Sequence, residues 1–200
     1  MRSLCTLILA VCGALVATPA MAGIIDFEDL GVVAGTQLNP ASGVSQNTGG
    51  FTVTPGPINT SGLNDLHFHN QNGVGDNGST HLGTHDDVVF TLIGGGVFSV
   101  FSFDFEGFIT ESGLMVEGTL SGGGTVSQTI TPDGNPNTYQ SFSLSGFQNL
   151  TKVSFNYLGN GSNGFFLDNI DTGARIPEPG ALGLAGLGLI ALALSRRKAR

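Results

Sequence analysis

Between residues 23 and 175 the chain is cut into short pieces. Runs rich in Val, Ile, Thr and Phe are each ended by a cluster of turn-forming residues. Examples are Gly94-Gly95-Gly96, Gly122-Gly123-Gly124, Asp133-Gly134-Asn135-Pro136 and Asn160-Gly161-Ser162-Asn163-Gly164. Such clusters supply positive φ and local side-chain hydrogen bonds, and they interrupt helices. The runs between them show no 3.6-residue period, so a helical body is ruled out. The pattern predicts strands near residues 24–28, 51–54, 64–69, 87–93, 97–106, 113–120, 124–131, 139–145, 150–158 and 164–171. In 97–105, Val97, Ser99, Phe101, Phe103 and Phe105 share one face under strict alternation. About ten short strands in about 150 residues read as an all-β antiparallel sandwich of jelly-roll-like type. The chain has 14 Phe, two Tyr and no Trp, so Phe is expected to fill the core.

Charge narrows the partners. Residues 23–174 hold 14 acids and a single base, Lys152, a formal charge of −13. A body so depleted of Lys and Arg cannot displace phosphate counterions, which excludes nucleic acid as a partner. Anionic membrane surfaces are disfavoured on the same ground. Cys5 and Cys12 are the only cysteines. The body therefore has no disulfide, thiolate metal site or cysteine nucleophile.

Both ends read as addresses. Arg2, the apolar run 4–17 and the small-x-small sequence Ala20-Met21-Ala22 form a signal peptide over residues 1–22, with cleavage after Ala22. Val11 before Cys12 is too bulky for a lipobox, so Cys12 is an ordinary residue of the apolar run. The body occupies residues 23–175. Residues 176–200 have a different logic. Pro177, Glu178 and Pro179 make a stiff extended element. Residues 180–194 are only Gly, Ala, Leu and Ile, and as a helix would reach ~22 Å, short of a ~30 Å hydrocarbon core. Arg196, Arg197, Lys198 and Arg200 then form a basic stop that stays cytoplasmic, which leaves the body outside.

This ordered set of Pro-Glu-Pro, apolar segment and basic cluster resembles the PEP-CTERM sorting signal of Gram-negative bacteria. The resemblance implies recognition by exosortase, a membrane protease-transpeptidase that removes the tail near Pro177-Glu178-Pro179. It also implies export across the inner membrane, a transient anchor, and a final place at the cell surface or in an extracellular polysaccharide matrix. The body resembles a recurrent PEP-CTERM passenger domain, through Ile24-Ile25-Asp26-Phe27-Glu28-Asp29-Leu30 at its start. At its end the match is Gly146-Phe147-Gln148-Asn149-Leu150-Thr151-Lys152-Val153-Ser154-Phe155, then Phe165-Phe166-Leu167-Asp168-Asn169-Ile170. That architecture is shared with jelly-roll carbohydrate-binding modules, so a calcium-dependent carbohydrate-binding module, with polysaccharide as partner, is the alternative to a structural or adhesive role in the matrix.

Three constellations could carry chemistry. Asp168 sits among apolar neighbours and needs a cation or amide donors if it faces inward. By resemblance to jelly-roll modules, Asp26, Glu28 and Asp168 would hold a structural calcium; hydrogen bonds to loop amides are the alternative. All four histidines, His67, His69, His81 and His85, fall within 19 positions. His67 and His69 share a strand face, and with Asp86 and Asp87 nearby they suit zinc, copper or nickel. The alternative is a polar loop of solvated histidines whose charge responds to neighbouring acids. Asp104 and Glu106 share a strand face as a glycosidase pair would, but they lack the further acid of that signature. A solvated acidic face is the simpler expectation, and the body is read as non-enzymatic.

Overall fold

The computed structural model describes residues 23–56, 65–70, 78–85, 87–108, 112–136, 138–159 and 164–172. Pro177, Glu178, Pro179, Arg196, Arg197, Lys198 and Arg200 lie outside the described residues, as do residues 1–22. Everything described belongs to the unit Ala22–Arg175. Among the described residues there are thirteen strands. In chain order they are β1 (Ile24–Ile25), β2 (Thr36–Leu38), β3 (Gln46–Thr48), β4 (Phe51–Pro55), β5 (Leu66–Asn70), β6 (His81–Thr84) and β7 (Val88–Leu92). The rest are β8 (Ser102–Gly107), β9 (Leu114–Leu120), β10 (Thr125–Ile130), β11 (Gln140–Ser143), β12 (Leu150–Tyr157) and β13 (Phe165–Asp171).

They form two antiparallel sheets. The seven-stranded sheet runs β11-β8-β13-β6-β5-β2, with β1 also on β13; the six-stranded sheet runs β10-β9-β12-β7-β4-β3. The inner faces carry the alternate apolar residues of each strand, such as Phe51 and Val53 on β4, Leu114 and Val116 on β9, and Leu66 and Phe68 on β5. Eleven of the fourteen Phe are buried, so packed Phe rings do join the sheets. Phe103 of β8 meets Phe155 of β12 edge to face at 5.1 Å, and Phe155 meets Phe90 of β7 at 5.6 Å. The sequence expectation of an all-β antiparallel sandwich is what the chain adopts.

Local departures have physical causes. The first expected strand stops early because Phe27 takes a left-handed conformation (φ 60°) and Glu28–Leu30 form a 3₁₀ turn. The run 97–105 does not keep one face. Phe98 and Val100 are buried, Phe101 is exposed, and Phe103 and Phe105 are buried again. The segment changes sheets here. Phe98 and Leu150 exchange backbone hydrogen bonds of 2.9 and 2.8 Å on the six-stranded sheet, whereas Phe101 N–H donates to Asp171 O (2.8 Å) on the other. Crossing the sandwich shifts the alternation by one residue. Strands β2, β3 and β6 were not legible. The first two are polar edge strands, and all four residues of β6 are buried, so neither type alternates.

Candidate functional site

The outer face of the seven-stranded sheet carries the polar residues. On β5, Leu66 and Phe68 enter the core, so His67 and His69 must point outward. Register places His69 opposite His81 of β6 and His67 opposite Gly83. On β13, Phe165 and Leu167 face inward, which turns Phe166 and Asp168 outward opposite Glu106 and Asp104 of β8. The structure therefore brings all four histidines onto one face, together with both acids of β8 and Asp168.

The rings form a continuous row. His69 and His81 stack at 5.5 Å with planes 6° apart, His67 meets His69 at 5.7 Å, and His67 meets His85 edge to face at 5.3 Å. Phe166 meets both His69 and His81, and Phe108 meets His85 and Phe166. Between them lies a half-open cleft of about 170 Å³, lined by Gln37, His67, His69, His85, Phe108 and Phe166 among others. Its floor is Gly83. A Cβ there would stand 2.9 Å from Cε1 of the Phe166 ring and 3.2 Å from His69 Nε2, so glycine is what leaves room for the rings.

At one end of the row, ligand atoms of Asp65, His67 and His85 lie within 4.8 Å of one another, the one such group among the described residues. His67 Nε2 is 3.2 Å from Asp65 Oδ2 and 3.3 Å from His85 Nδ1, and His85 Nδ1 is 3.6 Å from Asp65 Oδ1. Asp65 Oδ1 is buried and has no hydrogen-bond partner. Asp65 replaces the acids expected from the sequence. Asp86 lies outside the described residues, and Asp87 accepts from Tyr157 N–H at 3.0 Å, away from the histidines. The missed signal was simple: Asp65, His67 and His69 alternate with Leu66 and Phe68.

Burial dominates the charge state. The pKa of His69 is lowered to about 4, first by burial and then by His81, His67 and His85. That of His67 is lowered by burial, against the pull of Asp65 and with a further push from His85. At His67 the acid Asp65 does not win, because lost hydration outweighs it. His81 is only 1% exposed, and its Nδ1–H donates to Ser79 O at 3.2 Å.

The other candidates are held by protein donors. Asp168, fully buried, accepts from Ser79 Oγ (2.7 Å) and from the Asn169 N–H (2.8 Å). Glu28 accepts from Thr80 N–H (2.6 Å) and Thr80 Oγ1 (3.1 Å). Asp26 is exposed and accepts from Glu28 N–H at 3.3 Å. Asp26, Glu28 and Asp168 do not form a converging group; Glu28 and Asp168 instead pin adjacent residues of one loop. Asp104 accepts from Ser141 Oγ and from Asn169 Nδ2 (2.9 Å). Glu106, opposite Phe166 in the sheet, is 2% exposed, so the expected solvated acidic face is corrected at this residue, while Asp104 stays partly exposed.

Comparison with known proteins adds the other end of the chain. Residues 175–198 match the model of the PEP-CTERM protein-sorting motif. The chain carries a PEP-CTERM sorting motif. That match contains Pro177, Glu178 and Pro179 and reaches Lys198 of the basic cluster. Among the curated proteins, none matches the sequence. Solved structures similar to the chain include a family 29 carbohydrate-binding module, at 15% identity and TM-score 0.36, covering 80% of this chain and 94% of that one. A point mutant of the module CBM29-2 matches at 14% identity and TM-score 0.40, covering 68% of this chain and 89% of that one. Another, complexed with mannohexaose, matches at 14% identity and TM-score 0.35, over 76% and 91%. The fold itself rests on the strand order and register given above.

Proposed function

We propose that the chain is an exported protein anchored briefly by its C-terminal segment. Exosortase cuts it near Pro177-Glu178-Pro179 and leaves the β-sandwich at the surface, or in the exopolysaccharide matrix, of a Gram-negative bacterium. There it serves as a non-enzymatic structural or adhesive component. The sorting motif at residues 175–198 carries this reading. The acidic, cysteine-free body supports it, since its stability needs no redox compartment. The non-enzymatic role is supported by the β8 acids: Asp104 is bound by two protein donors and Glu106 is buried.

A second reading, sugar binding at the cleft, is favoured by the Phe108 and Phe166 rings beside polar Gln37 and His85. The experiment is cell fractionation with and without exosortase. The sorted protein leaves the membrane fraction only when exosortase is present. Binding of the released chain to isolated matrix polysaccharide that is lost in Phe108→Ala selects the second reading.

A further inference from the structure

We propose that Asp65, His67 and His85 form a binding site for a tetrahedral divalent metal of the zinc class, open on one side to the cleft. The proposal does not depend on how the chain is sorted. Three observations carry it.

The first is the set of distances. Zinc bonds of ~2.0–2.2 Å to nitrogen and oxygen in a tetrahedron require ligand–ligand edges of ~3.3–3.6 Å. The two edges at His67 Nε2 are 3.2 Å to Asp65 Oδ2 and 3.3 Å to His85 Nδ1; His85 Nδ1 lies 3.6 Å from the other carboxylate oxygen, Oδ1, and one ligand atom from each residue fits within 4.8 Å of the others. Calcium takes six to eight oxygens and is not served by two imidazoles.

The second is the direction of the lone pairs. His67 Nδ1 lies 3.2 Å from Asn39 Oδ1, an acceptor that also receives Gln37 Nε2–H. Nδ1 of His67 is therefore the protonated nitrogen, and in the neutral ring Nε2 presents a lone pair. That lone pair faces the carboxylate Oδ2 of Asp65, which only accepts. Two acceptors held 3.2 Å apart repel unless a cation or proton lies between them. A metal ion between them satisfies both atoms. Asn39 then orients the ligand from the outer shell, as carboxylates and carbonyls do for metal-bound histidines.

The third is Asp65 Oδ1, a buried oxygen without a hydrogen-bond partner. His85 Nδ1 is 3.6 Å away, beyond a hydrogen bond, which leaves this oxygen for a cation to satisfy. Two imidazoles and one carboxylate leave a fourth position. His67 and His85 both line the cleft, so that position faces it, where water or a small anionic oxygen ligand fits.

The test is titration of Zn²⁺ into the exported full chain after chelator treatment, read by calorimetry, with Co²⁺ as a spectroscopic probe. One equivalent of Zn²⁺ should bind, millimolar calcium should not compete, and Co²⁺ should give the intense visible bands of a four-coordinate site. Asp65→Asn and His85→Gln should each weaken Zn²⁺ by at least ~10-fold, and Asn39→Ala by about 10-fold, with circular dichroism unchanged. His69→Gln should bind like wild type. No Zn²⁺ uptake by folded wild type would overturn the site. So would wild-type affinity in Asp65→Asn and His85→Gln, or a weak octahedral Co²⁺ spectrum.

Discussion

His69 and His81 face each other across β5 and β6 with their rings stacked at 5.5 Å, 6° from parallel. Two imidazolium ions cannot occupy that arrangement without strong repulsion. The pKa of His69 accordingly falls to about 4, with burial the largest cause. An unfolded histidine titrates near 6.5. Between about pH 6.5 and pH 4 the unfolded chain therefore binds the extra proton, and stability falls as the pH is lowered. Full stability from this group is present above pH 6.5. In chelator, the unfolding midpoint of wild type should drop across that window, and His69→Gln should flatten the drop. An equal slope in both proteins would contradict this account of the pair.

The sandwich depends on rings that cross between sheets. Phe103 and Phe155 are both buried and meet at 5.1 Å. Phe103→Ala should destabilise by ~3–5 kcal/mol, and Phe155→Ala by a similar amount. The double variant should lose less than the sum, since the two share one contact. Urea unfolding of the four proteins measures this.

Gly83 is the close approach that makes the cleft. A methyl group there collides with the Phe166 ring at 2.9 Å and crowds His69. Gly83→Ala should cost ~1–3 kcal/mol and displace the rings that wall the cleft. Thermal unfolding reads the first effect, and the histidine ring resonances in NMR read the second.

Asp168 and Glu28 hold neighbouring residues, Ser79 and Thr80. Asp168→Ala leaves buried donors unpaired and should cost ~1.5–3 kcal/mol. Because its partners are protein groups, the loss should be the same with calcium and with chelator. A wild-type midpoint that rises with calcium, and does so no longer in Asp168→Ala, would instead place a calcium ion at Asp26, Glu28 and Asp168.

Much of this was legible in the chain because period-two alternation and glycine clusters are local signals. β9, long and flanked by turn residues, shows it well, and in β12 the apolar alternation of Val153, Phe155 and Tyr157 follows a register irregularity between Leu150 and Lys152. The phase change between Val100 and Phe103 was not legible, since it depends on which sheet each residue joins. β6 was hidden because strands on both sides, with Phe166 and Tyr139 above it, bury all of His81–Thr84. Convergence of the four histidines was suggested by their spacing. The role of Asp65 was not, because its partner His85 reaches it only through the pairing of β5 with β6. The burial of Glu106 likewise follows from its place in the sheet, opposite Phe166, sixty residues later in the chain.

The intact mass of the protein collected outside exosortase-bearing cells tests the sorting most directly. The account predicts a chain that begins at Gly23 and ends near Pro177-Glu178-Pro179, without residues 180–200. Cells lacking exosortase should keep the longer chain in their membranes. A released protein that still carries Arg196, Arg197, Lys198 and Arg200, or identical products in both cells, would contradict it.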